Sequence, residues 1–301
     1  MDLDCCHIVG CGTLGRAIAY SLMKETLFDT LFLTDADSGR CECAAADLRA
    51  ATAHSGIRCG MPERKDISVL TIMTTEPVFR LGETRTAALL GKIRRCERTL
   101  SAIGKCTDKE ILLIADTDSD IIADYAVHAG YGDKNQVFGV GTLPDTLMLR
   151  AETDMRFAIG EDRERIHVIG TSNTVFPIVE KENGDIPTDI KLPEKAESVW
   201  QTIRNASRSR SVSGRLYTYA AAVAEIAACI RYDRKKSLPV ASSSDGRYGM
   251  TDICVSLPTI IGENGIEAAS DITLSDAAYE KLFASAEEWR LTRDTVKKTA
   301  L

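Results

Sequence analysis

The stretch CHIVGCGTLGRAIAYSLMKE, residues 6–25, decides the fold, because three kinds of local structure follow one another within it. A short apolar segment predicts a buried strand, a glycine-rich turn follows, and an amphipathic pattern then predicts a helix. The turn reads GCGTLG over residues 10–15, which is the spacing GxGxxG. That spacing is weak by itself. Between a strand and a helix it is typical of a turn that holds a phosphate group against a helix amino terminus.

The following strand completes a dinucleotide-binding pattern. LFLTDAD, residues 31–37, is apolar and ends in acids, and Asp35 lies 20 residues after Gly15. In this pattern the glycines let backbone N–H groups approach a pyrophosphate, and the acid accepts hydrogen bonds from the adenosine ribose. A carboxylate there repels a 2′-phosphate, so NAD is favoured over NADP. The predicted NAD-binding residues are Gly10, Gly12, Thr13, Leu14, Gly15 and Asp35.

Strands and helices continue to alternate up to about residue 130. The patterns predict helices over 41–54, 83–103 and 119–130, and strands over 68–75 and 111–116. This alternation is typical of an α/β protein with a doubly wound parallel sheet, the Rossmann fold, and right-handed crossovers.

Beyond residue 140 the pattern changes to that of an α+β domain. RIHVIGTSNTVFP, residues 165–177, predicts a strand and then a loop, and long helices are interrupted near Ser213-Gly214. Two β-rich segments flank a turn at residues 263–265, and an amphipathic helix ends the chain. We expect a Rossmann domain over residues 1–140 and a second domain over residues 141–301.

Composition limits the classes of partner. Hydrophobic residues make up 44% and charged residues 27% of the chain, and the net charge is −7, which argues against nucleic acid or an anionic membrane as the main partner. The start MDLDCCHIVG lacks signal-peptide features, and no apolar run could span a bilayer, so a cytoplasmic protein is expected. The ten cysteines include no CxxC pair, which favours reduced thiols, several of them buried, and no metal site.

Six segments, in the order of the chain, resemble the lactate/malate dehydrogenase superfamily. They are HIVGCGTLG, LFLTDAD, AAADLRAA, GETRTAALL, FGVGTLPDTLMLRAE and DGRYGMTDICVSLPTIIGENGIE. The resemblance covers almost the whole chain. It implies a Rossmann domain followed by an α+β lactate/malate dehydrogenase-type catalytic domain, a 2-keto acid substrate reduced with NADH, and assembly as a homodimer or homotetramer.

The resemblance also implies a role for each of several positions. Arg85 in GETR matches the loop arginine that polarises the substrate carbonyl, and Asp145 in LPDT matches the aspartate that orients a catalytic histidine. The histidine itself is missing, because Ser172 or Asn173 stands at its position. The arginine that grips the substrate carboxylate is replaced by Met148.

Three further positions depart from the family pattern. Thr117 stands where the family has an asparagine, Phe79 occupies the position that selects the substrate, and Thr74-Thr75 replaces a glycine near the nicotinamide. A nearby substitute for the missing histidine is His167, three residues before Gly170, which the strand pattern places in the core or an interface.

Two functional hypotheses follow. Serine and asparagine do not titrate near neutral pH, and methionine cannot form a charge-assisted pair with a carboxylate. The first hypothesis is therefore a catalytically impaired, NAD(H)-binding protein with a structural, sensing or partner-binding role. The second is a working NAD-dependent oxidoreductase with an altered substrate and proton path, in which Phe79 and Met148 line an apolar pocket for a small-molecule carbonyl substrate.

Overall fold

The computed structural model describes residues 5–62, 70–75, 82–180, 191–206, 212–270 and 272–300. Its first six strands are all parallel and lie in the order β3-β2-β1-β4-β5-β6. They are β1 (Cys5–Val9), β2 (Thr30–Thr34), β3 (Ile57–Cys59), β4 (Leu70–Thr74), β5 (Ile111–Ala115) and β6 (Val137–Gly139). This is the doubly wound order, with its reversal between β1 and β4, and it confirms the predicted Rossmann fold.

The helices of the first half lie where the patterns predict them. They are α1 (Thr13–Lys24), α2 (Ser38–Thr52), α3 (Arg85–Ile103) and α4 (Ser119–His128). All ten cysteines lie in the described residues and none of them forms a disulfide; six are buried, in agreement with the prediction that several lie in the core. Within the described ranges, no helix has the length and apolar character needed to cross a membrane.

The second half continues the same sheet with antiparallel strands. Its strands are β7 (Ile166–Gly170), β8 (Val175–Val179), β9 (Lys236–Ser243), β10 (Cys254–Gly262) and β11 (Gly265–Ala269). Its helices are α5 (Leu143–Phe157), α6 (Leu192–Ala206), α7 (Leu216–Tyr232) and α8 (Asp276–Ala300). The order is β6-β9-β10-β7-β8, with β11 paired to β10, and Gly139 of β6 pairs with Ala241 of β9.

The loop predicted after residue 170 is wrong from Val175 onward. There the chain turns back, and Val175 pairs with Gly170 as the first residue of β8. The interruption near Ser213-Gly214 is confirmed, since α6 ends at Ala206 and α7 begins at Leu216. The β-turn before Gly265 is confirmed too, because β10 and β11 meet at the pair of Gly262 and Gly265.

One hydrophobic cluster draws on both halves of the chain. Ile18 and Leu22 of α1 belong to the same buried cluster as Val223 and Ile226 of α7. Alanines on α7, which take little volume, let the two helices approach closely. The domain boundary at residue 140 stays a prediction.

Candidate functional site

The glycine turn is packed so tightly that only glycine fits at two of its positions. A Cβ atom on Gly15 would lie 1.8 Å from the backbone oxygen of Gly10, and one on Gly10 would lie 2.4 Å from Oγ1 of Thr74. Gly10 also has φ +104°, a conformation that L side chains rarely adopt. The backbone of the turn therefore packs directly against the first turn of α1. The N-cap of that helix is Gly12, which has no side chain to accept hydrogen bonds from the first amide N–H groups.

Asp35 is fixed beside this turn. Its Oδ2 accepts the backbone N–H of Cys11 at 2.7 Å, and its Oδ1 accepts that of Asp37 at 2.9 Å. A cavity of about 400 Å³ opens here, lined by Gly10, Gly12, Asp35 and Thr75 together with one side of α3. The glycine turn, the start of α1 without a side-chain cap and the Asp35 carboxylate fit a dinucleotide. Its pyrophosphate would lie at the turn and its adenosine ribose at Asp35.

A buried ion cluster lies at the carboxyl ends of β4 and β5. Lys92 of α3 donates from Nζ to Oδ1 of Asp116 at 2.7 Å and to Oδ2 of Asp118 at 2.5 Å. The hydroxyl of Thr75 donates to the same Asp116 carboxylate. Burial alone would lower the pKa of Lys92, but the two carboxylates outweigh it and raise that pKa, so the ammonium group stays charged.

Arg85 connects this ion cluster with the turn between β7 and β8. It begins α3, is exposed, and donates from Nη2 to Oδ1 of Asn173 at 2.5 Å. The same Nη2 lies 3.9 Å from Oδ1 of Asp118. The structure thus brings the predicted loop arginine to the turn where the histidine of the family pattern is missing.

Asp120 of α4 accepts a hydrogen bond from the turn between β7 and β8, and no sequence pattern indicated this role. Its Oδ2 accepts the backbone N–H of Ser172 at 2.7 Å, and its side chain is buried in the first turn of α4. Burial raises the pKa of Asp120 to about 6, although the hydrogen bond from Ser172 acts in the opposite direction. The sequence signal available was an acid two residues after Asp118, inside a segment otherwise read as a helix start.

Asp145 has a cationic partner that no sequence pattern indicated. It lies in the first turn of α5 and forms a buried ion pair with Arg215, 70 residues further along the chain. Arg215 precedes α7, and its guanidinium group lies over the ring of Tyr219 at 5.6 Å from the ring centre. The carboxylate is held by a group that keeps its proton at any physiological pH.

The remaining predicted positions lie as follows. Met148 is half-buried on α5, one turn after Asp145, and the Thr117 hydroxyl lies 3.4 Å from Oδ1 of Asp116. His167 is buried in β7 with Nε2 3.2 Å from Oε1 of Glu180, and burial lowers its pKa, so it is the core histidine that the strand pattern predicts. Phe79 lies outside the described residues.

One group of metal-ligating side chains lies elsewhere among the described residues: Asp124, His128 and Asp252. Asp124 faces Nδ1 of the imidazole at 3.4 Å, whereas Asp252 faces Nε2 at 3.3 Å. Arg293 also donates to Asp252 at 2.9 Å. Because the two carboxylates face different ring nitrogens, the group is a chain of polar contacts rather than a set of ligands converging on one point.

The order of the strands, the glycine turn at the point where that order reverses, and Asp35 after the second strand define a Rossmann-type α/β protein. Comparison with known proteins narrows this class. The family model for the lactate/malate dehydrogenase α/β C-terminal domain matches residues 156–300. This match and the similarity of whole proteins support membership of the lactate/malate dehydrogenase superfamily.

Similar proteins cover nearly the whole chain. An L-lactate dehydrogenase of Clostridium botulinum (strain Loch Maree) is 25% identical over 95% of this chain and 94% of its own. One of Salinibacter ruber is 26% identical over 95% of both chains. Among solved structures, a lactate dehydrogenase enzyme from a Medee basin deep-sea metagenome library has a TM-score of 0.82 at 22% identity, covering 99% of this chain and 100% of its own. The malate dehydrogenase of Aeropyrum pernix has a TM-score of 0.81 at 21% identity, covering 96% and 97%. Both likenesses show the expected two-part fold.

Proposed function

We propose that this protein is an NAD(H)-binding member of the superfamily in which reduction of simple 2-keto acids is impaired. The observation that carries the proposal is the buried pair of Asp145 and Arg215. In the family pattern, as the resemblance gives it, this aspartate orients the histidine that supplies a proton. Here an arginine holds the carboxylate, and Ser172 and Asn173 offer no group that titrates near neutral pH.

The cofactor would be held by residues of the first half. Backbone around Gly10, Gly12 and Gly15, with the N–H groups of Thr13 and Leu14, would face the pyrophosphate, and Asp35 would bind the adenosine ribose. When bound, the nicotinamide ring would supply hydride-transfer chemistry. The packing of Gly10 and Gly15 and the fixed Asp35 carboxylate support this assignment.

The expected loss of activity is large. Removing an acid–base group costs roughly 10²- to 10⁴-fold in rate. Replacing a substrate-binding arginine by Met148 removes a charge-assisted contact worth about 2–5 kcal/mol when buried. The two losses affect one reaction and need not add, yet either makes efficient turnover of pyruvate or oxaloacetate unexpected.

The test is an NADH titration by fluorescence on purified protein, with NADPH alongside, followed by turnover assays with pyruvate and oxaloacetate. We expect saturable NADH binding, weaker NADPH binding and turnover of neither keto acid above background. Asp35→Ala should weaken NADH binding. Asp37→Ala removes the same charge two residues away, where the side chain caps α2, and serves as the matched control. Efficient keto-acid turnover would contradict the impairment, and no binding at millimolar NADH would contradict the cofactor.

A second candidate function is a working oxidoreductase with another carbonyl substrate and proton path. The arrangement that favours it is the pair of cations Arg85 and Lys92, which flank Asp118 at the strand ends where a carbonyl oxygen would need polarising. It predicts NADH oxidation with an apolar ketone, reduced strongly by Arg85→Ala. Activity unchanged in that variant would exclude this version of the mechanism.

We propose further that the protein is a homodimer or homotetramer. Tyr217 is 84% exposed, and with Tyr20 and Leu216 it lines a depression of about 490 Å³ between α1, α2 and α7. Exposed aromatic side chains around an apolar depression are typical of an interface. Light scattering should give a dimer or tetramer mass that Tyr217→Glu shifts toward the monomer. A wild-type monomer would contradict the assignment.

A further inference from the structure

Three of the ten cysteines meet beside the glycine turn. Cys11 belongs to the turn, Cys41 lies near the start of α2, and Cys59 is the last residue of β3. The thiol of Cys41 interacts with the thiols of both Cys11 and Cys59. The three thiols are not among the groups assigned above to nucleotide binding, although the backbone of Cys11 belongs to the glycine turn.

Backbone geometry accounts for the closeness of Cys41 and Cys59. The carbonyl oxygen of Leu33 in β2 accepts the Cys41 thiol at 3.0 Å and the backbone N–H of Gly60 at 2.8 Å. Leu33 is also the register partner of Cys59 in the parallel pair of β2 and β3. One carbonyl therefore holds the Cys41 sulfur against the peptide unit that follows Cys59.

Accessibility gives the two thiols different roles. Cys59 is exposed, whereas Cys41 is buried with 4% of its surface accessible. We propose that Cys41 and Cys59 are a modification site, at which thiol–disulfide exchange with a low-molecular-weight disulfide forms an intramolecular disulfide. Cys59 is the residue that attacks the small disulfide from the solvent side, and Cys41 is the resolving residue. Cys11, which is buried, is reached by solvent less readily than Cys59.

The chemistry balances in two exchange steps. The Cys59 thiolate attacks one sulfur of the small disulfide, forms a mixed disulfide and releases one small thiol. The Cys41 thiolate then attacks the Cys59 sulfur, forms the protein disulfide and releases the second small thiol. The two protein thiols lose two electrons and two protons, and the small disulfide gains them.

The surroundings set the pace of the first step. Partial desolvation beside α2, together with Cys41 and Glu42, raises the pKa of Cys59 to about 11, so the thiol is protonated near neutral pH. Since only the thiolate reacts, the rate should rise about tenfold for each unit by which the pH is increased toward that pKa. The site is one that responds to sustained oxidising conditions.

The cross-link would also reach the nucleotide site, a consequence that rests on the proposed NAD(H) binding. Arg40, which pairs with Asp35 at 4.0 Å, directly precedes Cys41, and the Cys11 N–H donates to Asp35. A disulfide withdraws the Cys41 sulfur from the Leu33 carbonyl and displaces the start of α2. We expect oxidised protein to bind NADH more weakly, with recovery after reduction.

The experiment treats the full-length protein with oxidised glutathione at several pH values between 7 and 9, then maps its peptides by mass spectrometry. A Cys41–Cys59 linkage is expected in the wild type and in Cys43→Ser, a control at an exposed cysteine of the same helix. Cys59→Ser should form no linkage, and Cys41→Ser should stop at a glutathione adduct on Cys59. Circular dichroism checks that each variant is folded, and Cys59→Ser, at an exposed position, is the variant least prone to unfold.

Three results would overturn the proposed Cys41–Cys59 disulfide. They are a wild-type protein that keeps glutathione on Cys59, a wild-type protein that stays unreacted throughout the pH range, and a linkage of Cys41 to Cys11. NADH titration of reduced and oxidised protein then tests the coupling to Asp35, which equal affinities would overturn. If reduced protein binds no NADH, the proposed function fails while the peptide map still decides the thiol pair.

Discussion

At the scale of single residues, the contact between Gly15 and Gly10 makes a direct prediction. Gly15→Ala places a Cβ atom 1.8 Å from a backbone oxygen, so the turn must open, at a cost of about 3 kcal/mol in the free energy of unfolding. Gly91→Ala, inside α3, is the matched control, because its Cβ would meet only the end of Arg95 at 3.5 Å. That change should be neutral or stabilise the helix by up to about 1 kcal/mol. Urea unfolding of both variants tests this, and equal effects would refute the close approach.

Asp120 predicts a dependence of stability on pH. Its folded pKa, about 6, lies above the ordinary value of 3.8, so the folded state binds more protons than the unfolded state between those values. The stability of the wild type relative to Asp120→Asn should therefore fall by about 3 kcal/mol as the pH rises from about 4 to about 7. Urea unfolding of both proteins across this range measures the difference. A difference that stays constant or grows would contradict the raised pKa.

The residues that sequence reasoning found and those that it missed differ in a physical respect. Gly10, Gly15 and Asp35 act within a continuous strand-turn-helix-strand segment, so their spacing along the chain reflects their spacing in space. Arg215 meets Asp145 across 70 residues. Lys92 is one of several basic residues on α3, and no pattern distinguishes it from its exposed neighbours.

At the scale of elements, the ion pairs of Lys92 with Asp116 and Asp118 connect α3 to the end of β5. Lys92→Met would leave Asp116 buried and Asp118 partly buried without their cation, which should destabilise the fold by about 3–5 kcal/mol. Lys134→Met is the matched control, since it breaks an exposed pair with Asp245 that contributes about 1 kcal/mol or less. Thermal and urea unfolding compare the two variants. Similar losses of stability in the two variants would show that the buried ion pairs of Lys92 contribute no more than the exposed pair.

Long and strongly patterned elements could be predicted, and short or irregular ones could not. The helices α1, α3 and α4 and the strands β1, β2, β4 and β5 follow their hydrophobic periodicity, whereas α2 has little periodicity and is predicted from its alanines. The three-residue strands β3 and β6 are too short to show any period. In β9 the sequence KSLPVASS includes a proline and three serines, so its strand state depends on its neighbours β6 and β10.

At the scale of the whole molecule, the halves share a sheet and a core. Because β6 pairs with β9 and α7 packs with α1 in one hydrophobic cluster, neither half buries its apolar surface alone. We expect one cooperative transition in scanning calorimetry, with the calorimetric enthalpy equal to the van't Hoff enthalpy. Two resolved transitions would show instead that the predicted boundary near residue 140 separates independent folding units.

If the protein is impaired as proposed, the pairing of Asp145 with Arg215 also bears on how readily an acid–base histidine could be introduced by mutation. A histidine introduced at Ser172 would find the aspartate of the family pattern already bound by a guanidinium group. Removing Arg215 first would leave a buried carboxylate without its cation, a step that costs about 3–5 kcal/mol. The histidine alone would therefore lack its orienting carboxylate, and the loss of Arg215 alone would destabilise the protein. Only the two changes together would give a histidine that is oriented by Asp145. The ion pair therefore makes a histidine that is oriented by Asp145 hard to obtain one substitution at a time.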